Sequence, residues 1–170
     1  LARLLDVWLA FEAGRGIAFE VVACEQEATV EIEEITVRMV VDRIDRLADE
    51  RLVIIDYKTG RSIDFSNWAE QRITEPQLPI YAALVADDVS AAVFAKVLLD
   101  APAFAGVADD RDLLPGVQGI GGDRQKIFDP SEFPDWTAVI THWRERLHAI
   151  AREVKAGAAG VAFVDEKALQ

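Results

Sequence analysis

Residues 51–60, RLVIIDYKTG, place an acid and a lysine at the end of an aliphatic run. Side chains alternate along a strand with a period of two. Leu52, Ile54, Asp56 and Lys58 therefore share one face, and Val53, Ile55 and Tyr57 the other. Charged groups at consecutive same-face positions are costly at the end of a core strand. The preceding run, ITVRMVVDRIDRL (35–47), is also β-rich, and Ala48-Asp49-Glu50 between the two signals a hairpin. With the turn centred on Asp49, residues whose numbers sum to 98 face each other, so Asp42 stands opposite Asp56. Directly opposed Cβ atoms lie about 4.5–5.5 Å apart. Two bare carboxylates at that distance repel, or one stays protonated. A hard cation that prefers oxygen ligands, Mg²⁺ or Mn²⁺, resolves the conflict. Lys58 beside it would position a water or stabilise negative charge developing on a phosphate. The plainer reading is a solvated salt-bridge set at the end of a hairpin, because D-x-K alone recurs by chance.

The elements that must position these residues follow from pattern. Leu1, Leu4, Leu5, Trp8 and Phe11 make the apolar stripe of a helix over 1–15, ended by Gly14 and Gly16. AFEVVACEQ (18–26) and ATVEIEE (28–34) read as strand, and 60–75 as loop. Pro76 opens a helix through Val85, with Gln77 and Tyr81 one turn apart on one face. AAVFAKVLL (91–99) is a strand, 101–130 is Gly- and Pro-rich loop with one weak hairpin, and 135–157 is a long helix. The order of elements indicates a single mixed α/β domain over 1–170. The missing initial Met and the mid-helix start suggest a piece of a longer protein.

Composition narrows the chemistry. The 170 residues are 51% hydrophobic and 28% charged, with 18 Lys plus Arg against 30 Asp plus Glu, for a net charge of −12. That balance excludes nucleic-acid or membrane binding through bulk positive charge. No membrane-spanning run or signal peptide is visible. One cysteine, Cys24, excludes an internal disulfide or a CxxC metal site, and its neighbours Val21, Val22 and Ala23 suggest a core thiol. His142 and His148 do not share a helix face, which argues against a zinc enzyme. Lys58-Thr59-Gly60 lacks the S-x-x-K partner that a penicillin-binding enzyme needs. Trp68 either stacks on a base or anchors its own loop, while Trp136 and Trp143 read as core.

Taken together, Asp42-Arg43-Ile44-Asp45, Asp56-Tyr57-Lys58-Thr59-Gly60 and Gln77-Leu78-Pro79-Ile80-Tyr81 resemble the RecB-like branch of the PD-(D/E)XK nuclease superfamily. Within it, the sequence is most similar to the C-terminal nuclease domain of AddB-type bacterial DNA repair proteins. The motifs lie within 37–81, and the end GVAFVDEKALQ also suits that family. The resemblance implies a restriction-endonuclease-like αβββαβ core, with a central mixed sheet flanked by helices. It implies Asp42, Asp56 and the Tyr57 main-chain carbonyl as ligands to Mg²⁺ or Mn²⁺, Lys58 as the catalytic lysine, and Gln77 and Tyr81 on the DNA side. Arg72 is a further DNA-binding candidate. The family's metal-binding His on the leading helix has no counterpart here, and Glu12 and Glu25 are the candidates to replace it. Met39 stands where relatives have glycine. An iron–sulfur cluster of relatives would need cysteines outside this chain. The implied activity is a DNA exonuclease or end-processing nuclease of repair or recombination in the bacterial cytoplasm, partnered by a helicase. The alternative is a catalytically incomplete DNA-end-binding or scaffold module. No sequence-reading helix is evident, and Arg43, Lys58, Arg61 and Arg72 are balanced by nearby acids, so binding should be to backbone and strand ends.

Overall fold

A computed structural model of the chain describes residues 1–60, 62–122 and 127–157. Arg61 and the GVAFVDEKALQ terminus lie outside the described residues. Helix α1 (Ala2–Ala13) leads into strands β1 (Phe19–Ile32), β2 (Ile35–Leu47) and β3 (Leu52–Lys58). A single turn at Ser66–Ala69 precedes α2 (Gln77–Ile80) and a wider turn over Tyr81–Val85. Then follow β4 (Val89–Lys96), β5 (Ala103–Ala108), β6 (Gln118–Gly119) and α3 (Trp136–Lys155). The first part of this order is the αβββαβ core, and the whole is a mixed α/β fold consistent with a restriction-endonuclease-like architecture.

The six strands form one sheet in chain order. The β1–β2, β2–β3 and β4–β5 pairs are antiparallel, whereas β3–β4 and β5–β6 are parallel. A parallel neighbour needs a crossover, and the segment carrying α2 supplies it. Helices cover both faces, so the central strands are apolar on both sides. On one face Ile54, Phe94 and Val107 pack with Trp68, Leu78, Tyr81, Val139, Trp143 and Leu147. On the other, Val53, Ile55, Val93 and Phe104 pack with Trp8 and Leu114. Asp135 starts α3 by accepting the Ala138 N–H at 2.8 Å, and Val139, Trp143, Leu147 and Ala151 line its buried face. Gly106 lets β5 lie close against β4, because a Cβ there would sit 2.3 Å from the Ala92 carbonyl oxygen. No helix among the described residues is long and apolar enough to cross a membrane.

Four local expectations change. Segments 18–26 and 28–34 merge into one continuous β1 that ends at Ile32, since pairing with the whole of β2 outweighs the polar break between them, and Glu33 and Glu34 make the left-handed turn into β2. Region 101–130 contains no separate hairpin among its described residues: β5 pairs back onto β4, and β6 runs parallel to β5. On α1, Leu1 and Leu5 are exposed while Trp8 and Glu12 are buried. Cys24 is exposed as well, because β1 past its bulge is covered on only part of its surface.

Candidate active site

The β2–β3 ladder pairs Arg46 with Leu52 through to Arg43 with Ile55, and there it stops. The β3–β4 ladder continues through Lys58 and Lys96. The two strands of the hairpin therefore part at the level of Asp42 and Asp56, where the register sum of 98 would set them opposite each other. In place of a backbone partner, the Tyr57 N–H donates to Asp42 Oδ2 at 2.7 Å. Asp42 thus closes the end of the ladder and lies near enough to act on the charge of Asp56.

Asp56 is 6% exposed. Its Oδ2 lies 3.0 Å from Lys58 Nζ, an ion pair without hydrogen-bond geometry, and no other donor among the described residues reaches this buried oxygen. Burial pushes the Asp56 carboxyl up; the Lys58 ammonium opposes this, and the Asp42 and Glu75 carboxylates add to it, so the net pKa is raised. Burial pulls the Lys58 ammonium down, but Asp56 and Glu75 outweigh it and hold the amine above its usual value. Lys58 also lies 3.6 Å from Glu75 Oε2 and 5.3 Å from the centre of the Phe94 ring. A cavity of about 370 Å³ opens here, lined by Lys58, Ser62, Ile63, Asp64, Thr74, Glu75 and Phe94.

Glu75 has no part in the pattern read from sequence. Its one signal is its position directly before Pro76 and two residues before Gln77. Its backbone is left-handed, φ +50°, a conformation that costs a non-glycine residue roughly 1 kcal/mol or more. The Trp68 indole N–H holds its carbonyl at 3.3 Å. Trp68 is fully buried against Phe65, Phe94 and Trp143, so it anchors its own loop.

Behind the sheet lies a buried ionic network. Asp45 is fully buried and takes Arg43 Nε at 2.6 Å, Arg43 Nη2 at 3.0 Å and Arg15 Nη1 at 2.5 Å. Arg43 also donates to the Tyr57 hydroxyl at 3.0 Å and forms an ion pair with Glu12 at 2.7 Å. Burial alone would lower the Arg43 pKa, but Asp45 and Tyr57 raise it, so the guanidinium stays charged.

The remaining candidates are placed as follows. Glu12, considered as a third ligand, is instead bound to Arg43 and Arg15 in this network, because the α1 face that bears it packs on the far side of the sheet. Glu25 sits on β1 between the pairs Cys24–Arg43 and Gln26–Val41, so its number is level with Asp42; it is left-handed at φ +48° and exposed. Gln77 donates its amide to the Val40 carbonyl, in the stretch where β2 leaves β3. Tyr81 is 7% exposed within the core, and burial raises its phenol pKa. Arg72 is exposed and lies 3.5 Å from Glu153.

Among the described residues, no three His, Cys, Asp or Glu side chains converge as a ready metal cage. What the chain offers is two carboxylates at the fork of a hairpin, one with a buried oxygen that, among the described residues, only the Lys58 ammonium approaches. That oxygen suits a hard cation, and the neighbouring ammonium suits a phosphate. No curated protein matches the sequence significantly. The family model for the PD-(D/E)XK nuclease superfamily matches residues 1–161, and the chain belongs to that superfamily.

Proposed function

We propose that this chain is a Mg²⁺- or Mn²⁺-dependent DNA exonuclease or end-processing nuclease domain of the RecB/AddB type, acting in DNA repair or recombination beside a helicase. The observation that carries the reading is the split of β2 from β3 at Asp42 and Asp56, with Lys58 3.0 Å from the buried Asp56 carboxylate. Asp42, Asp56 and the Tyr57 carbonyl would hold the cation, whose chemistry is to lower the pKa of a bound water and neutralise phosphate charge. The chain's own residues do the rest. Asp42 holds the end of β3 through the Tyr57 N–H, and Lys58 presents its ammonium to a backbone phosphate entering the cavity. Gln77 ties α2 to β2 next to Asp42 and keeps the fork open. With a net charge of −12, intrinsic DNA affinity is low and falls steeply with salt, which suits delivery of a strand by a partner.

One observation favours the scaffold alternative: no third ligand side chain joins Asp42 and Asp56 among the described residues. Calorimetric titration with Mn²⁺ and a DNA cleavage assay on the full-length protein separate the two. The nuclease reading expects Asp56→Ala to abolish Mn²⁺ binding, and Lys58→Ala to keep binding and lose cleavage. Wild-type cleavage by Lys58→Ala refutes the assigned chemistry. For Gln77→Ala, weaker DNA binding at low salt in Ca²⁺ with unchanged melting indicates a DNA contact, and a lowered melting temperature indicates the structural tie.

A further inference from the structure

We propose that Glu75 is a positioning residue for Lys58, an inference that rests on the reading of Asp42, Asp56 and Lys58 given above. In the structure Lys58 lies between two carboxylates, 3.0 Å from Asp56 and 3.6 Å from Glu75. The two partners are not equivalent. Asp56 is buried, whereas the Glu75 side chain is 58% exposed and stands at the rim of the cavity that Lys58 lines. A divalent cation taking the Asp56 carboxylate would repel the ammonium and compete for its partner oxygen. Glu75 is then the anion left to hold Lys58, and it holds it on the cavity side, where a phosphate would lie.

The backbone around Glu75 fits this role. A glutamate before a proline is doubly disfavoured in the helical and left-handed regions, yet Glu75 adopts φ +50°. Trp68 grips its carbonyl from one side, and Ile80 N–H donates to the Pro76 carbonyl at 2.8 Å on the other. This backbone sets the Glu75 carboxylate 3.6 Å from the Lys58 ammonium, its ion-pair partner among the described residues. Strain held in place by a fully buried tryptophan is the pattern expected where orientation matters.

The test uses the full-length protein with Glu75→Gln, Glu75→Asp and Lys58→Ala. Lysine amines are ¹³C-dimethylated, and the Lys58 signal is assigned by its absence in Lys58→Ala. In the wild type with saturating Mg²⁺, the Lys58 signal is expected to stay distinct from the solvent-exposed lysines. In Glu75→Gln with Mg²⁺, it is expected to move to their position and sharpen. The single-turnover cleavage rate of the unlabelled Glu75→Gln protein should fall at least tenfold, with Mn²⁺ affinity changed less than fivefold and an unchanged melting temperature. Glu75→Asp should restore part of the rate. A distinct Lys58 signal in Glu75→Gln, or a cleavage rate within twofold of wild type while Lys58→Ala is inactive, overturns the role of Glu75 and leaves the nuclease reading intact. A loss of rate that only follows a lowered melting temperature also overturns it. If Lys58→Ala itself cleaves normally, the underlying reading of the site fails first.

Discussion

Asp45→Ala probes the network that holds the back of the site. Asp45 is fully buried and accepts three hydrogen bonds from two guanidinium groups. Its removal leaves Arg15, whose side chain is 1% exposed, with only the longer contact to Glu12 at 3.5 Å as a carboxylate partner among the described residues. Arg43 keeps Glu12 at 2.7 Å and the Tyr57 hydroxyl, so part of the charge remains compensated. Breaking a buried pair by removing one partner costs about 3–5 kcal/mol; the surviving Glu12 contacts place this case near the lower end, about 3 kcal/mol. For a domain of this size each kcal/mol lowers the melting temperature by about 2–4 °C, so the expected fall is about 6–12 °C. Urea unfolding at neutral pH measures the free energy, and calorimetry the midpoint. Asp49→Ala is the control: its partner Arg51 lies at 2.7 Å, but the pair is open to solvent, where screening leaves an ion pair little effect on stability. A loss for Asp45→Ala no larger than that control would refute the view that this network braces β2 against α1.

Further outcomes follow from the same contacts. Asp56→Asn should stabilise the protein, because the pKa of Asp56 is raised and its ionised form is the costly one; the gain is largest at neutral pH and shrinks as pH falls toward the ordinary value of 3.8, which urea midpoints across pH will show. Glu33 is depressed by its hydrogen bond to His148, against burial, with Arg152 adding to the effect. Its contribution is present above the ordinary value of 4.5 and is lost as pH falls through the depressed value, so Glu33→Gln should differ from wild type at pH 6 and converge with it in acid. Trp68→Ala should cost about 3–5 kcal/mol through the cavity it leaves and lower cleavage as Glu75 loses its anchor, while Trp68→Phe should retain most of the stability in the same unfolding assay.

The hairpin register was legible in sequence because it depends on local quantities, the length of the turn and the period-two alternation. Arg43–Ile55 and Ile44–Ile54 satisfy the same sum that sets Asp42 against Asp56. The order of elements was legible for the same reason, since β-branched runs, Pro76 and the apolar spacing of α3 act over short distances. The family motifs gave the superfamily, because residue types and their order survive without coordinates. The rest depends on which surfaces meet. Nothing local distinguishes the apolar Leu5 from Trp8, yet only Trp8 is covered, because Tyr57 and Phe104 come to it from β3 and β5 and join Phe11 of its own helix. Glu12 is a candidate metal ligand by its place on the leading helix, but behind the sheet Arg43 and Arg15 engage its carboxylate. Cys24 had apolar neighbours in sequence but no layer above it. Glu75 was invisible for the converse reason: it lies 17 residues from Lys58 in the chain, across a loop with no periodicity, and it reaches the ammonium only because Trp68 is buried between β4 and α3. Alternation along a strand determined which residues could share the fork, and the packing of α1, α2 and the Trp68 loop decided which of the remaining charges stand beside it.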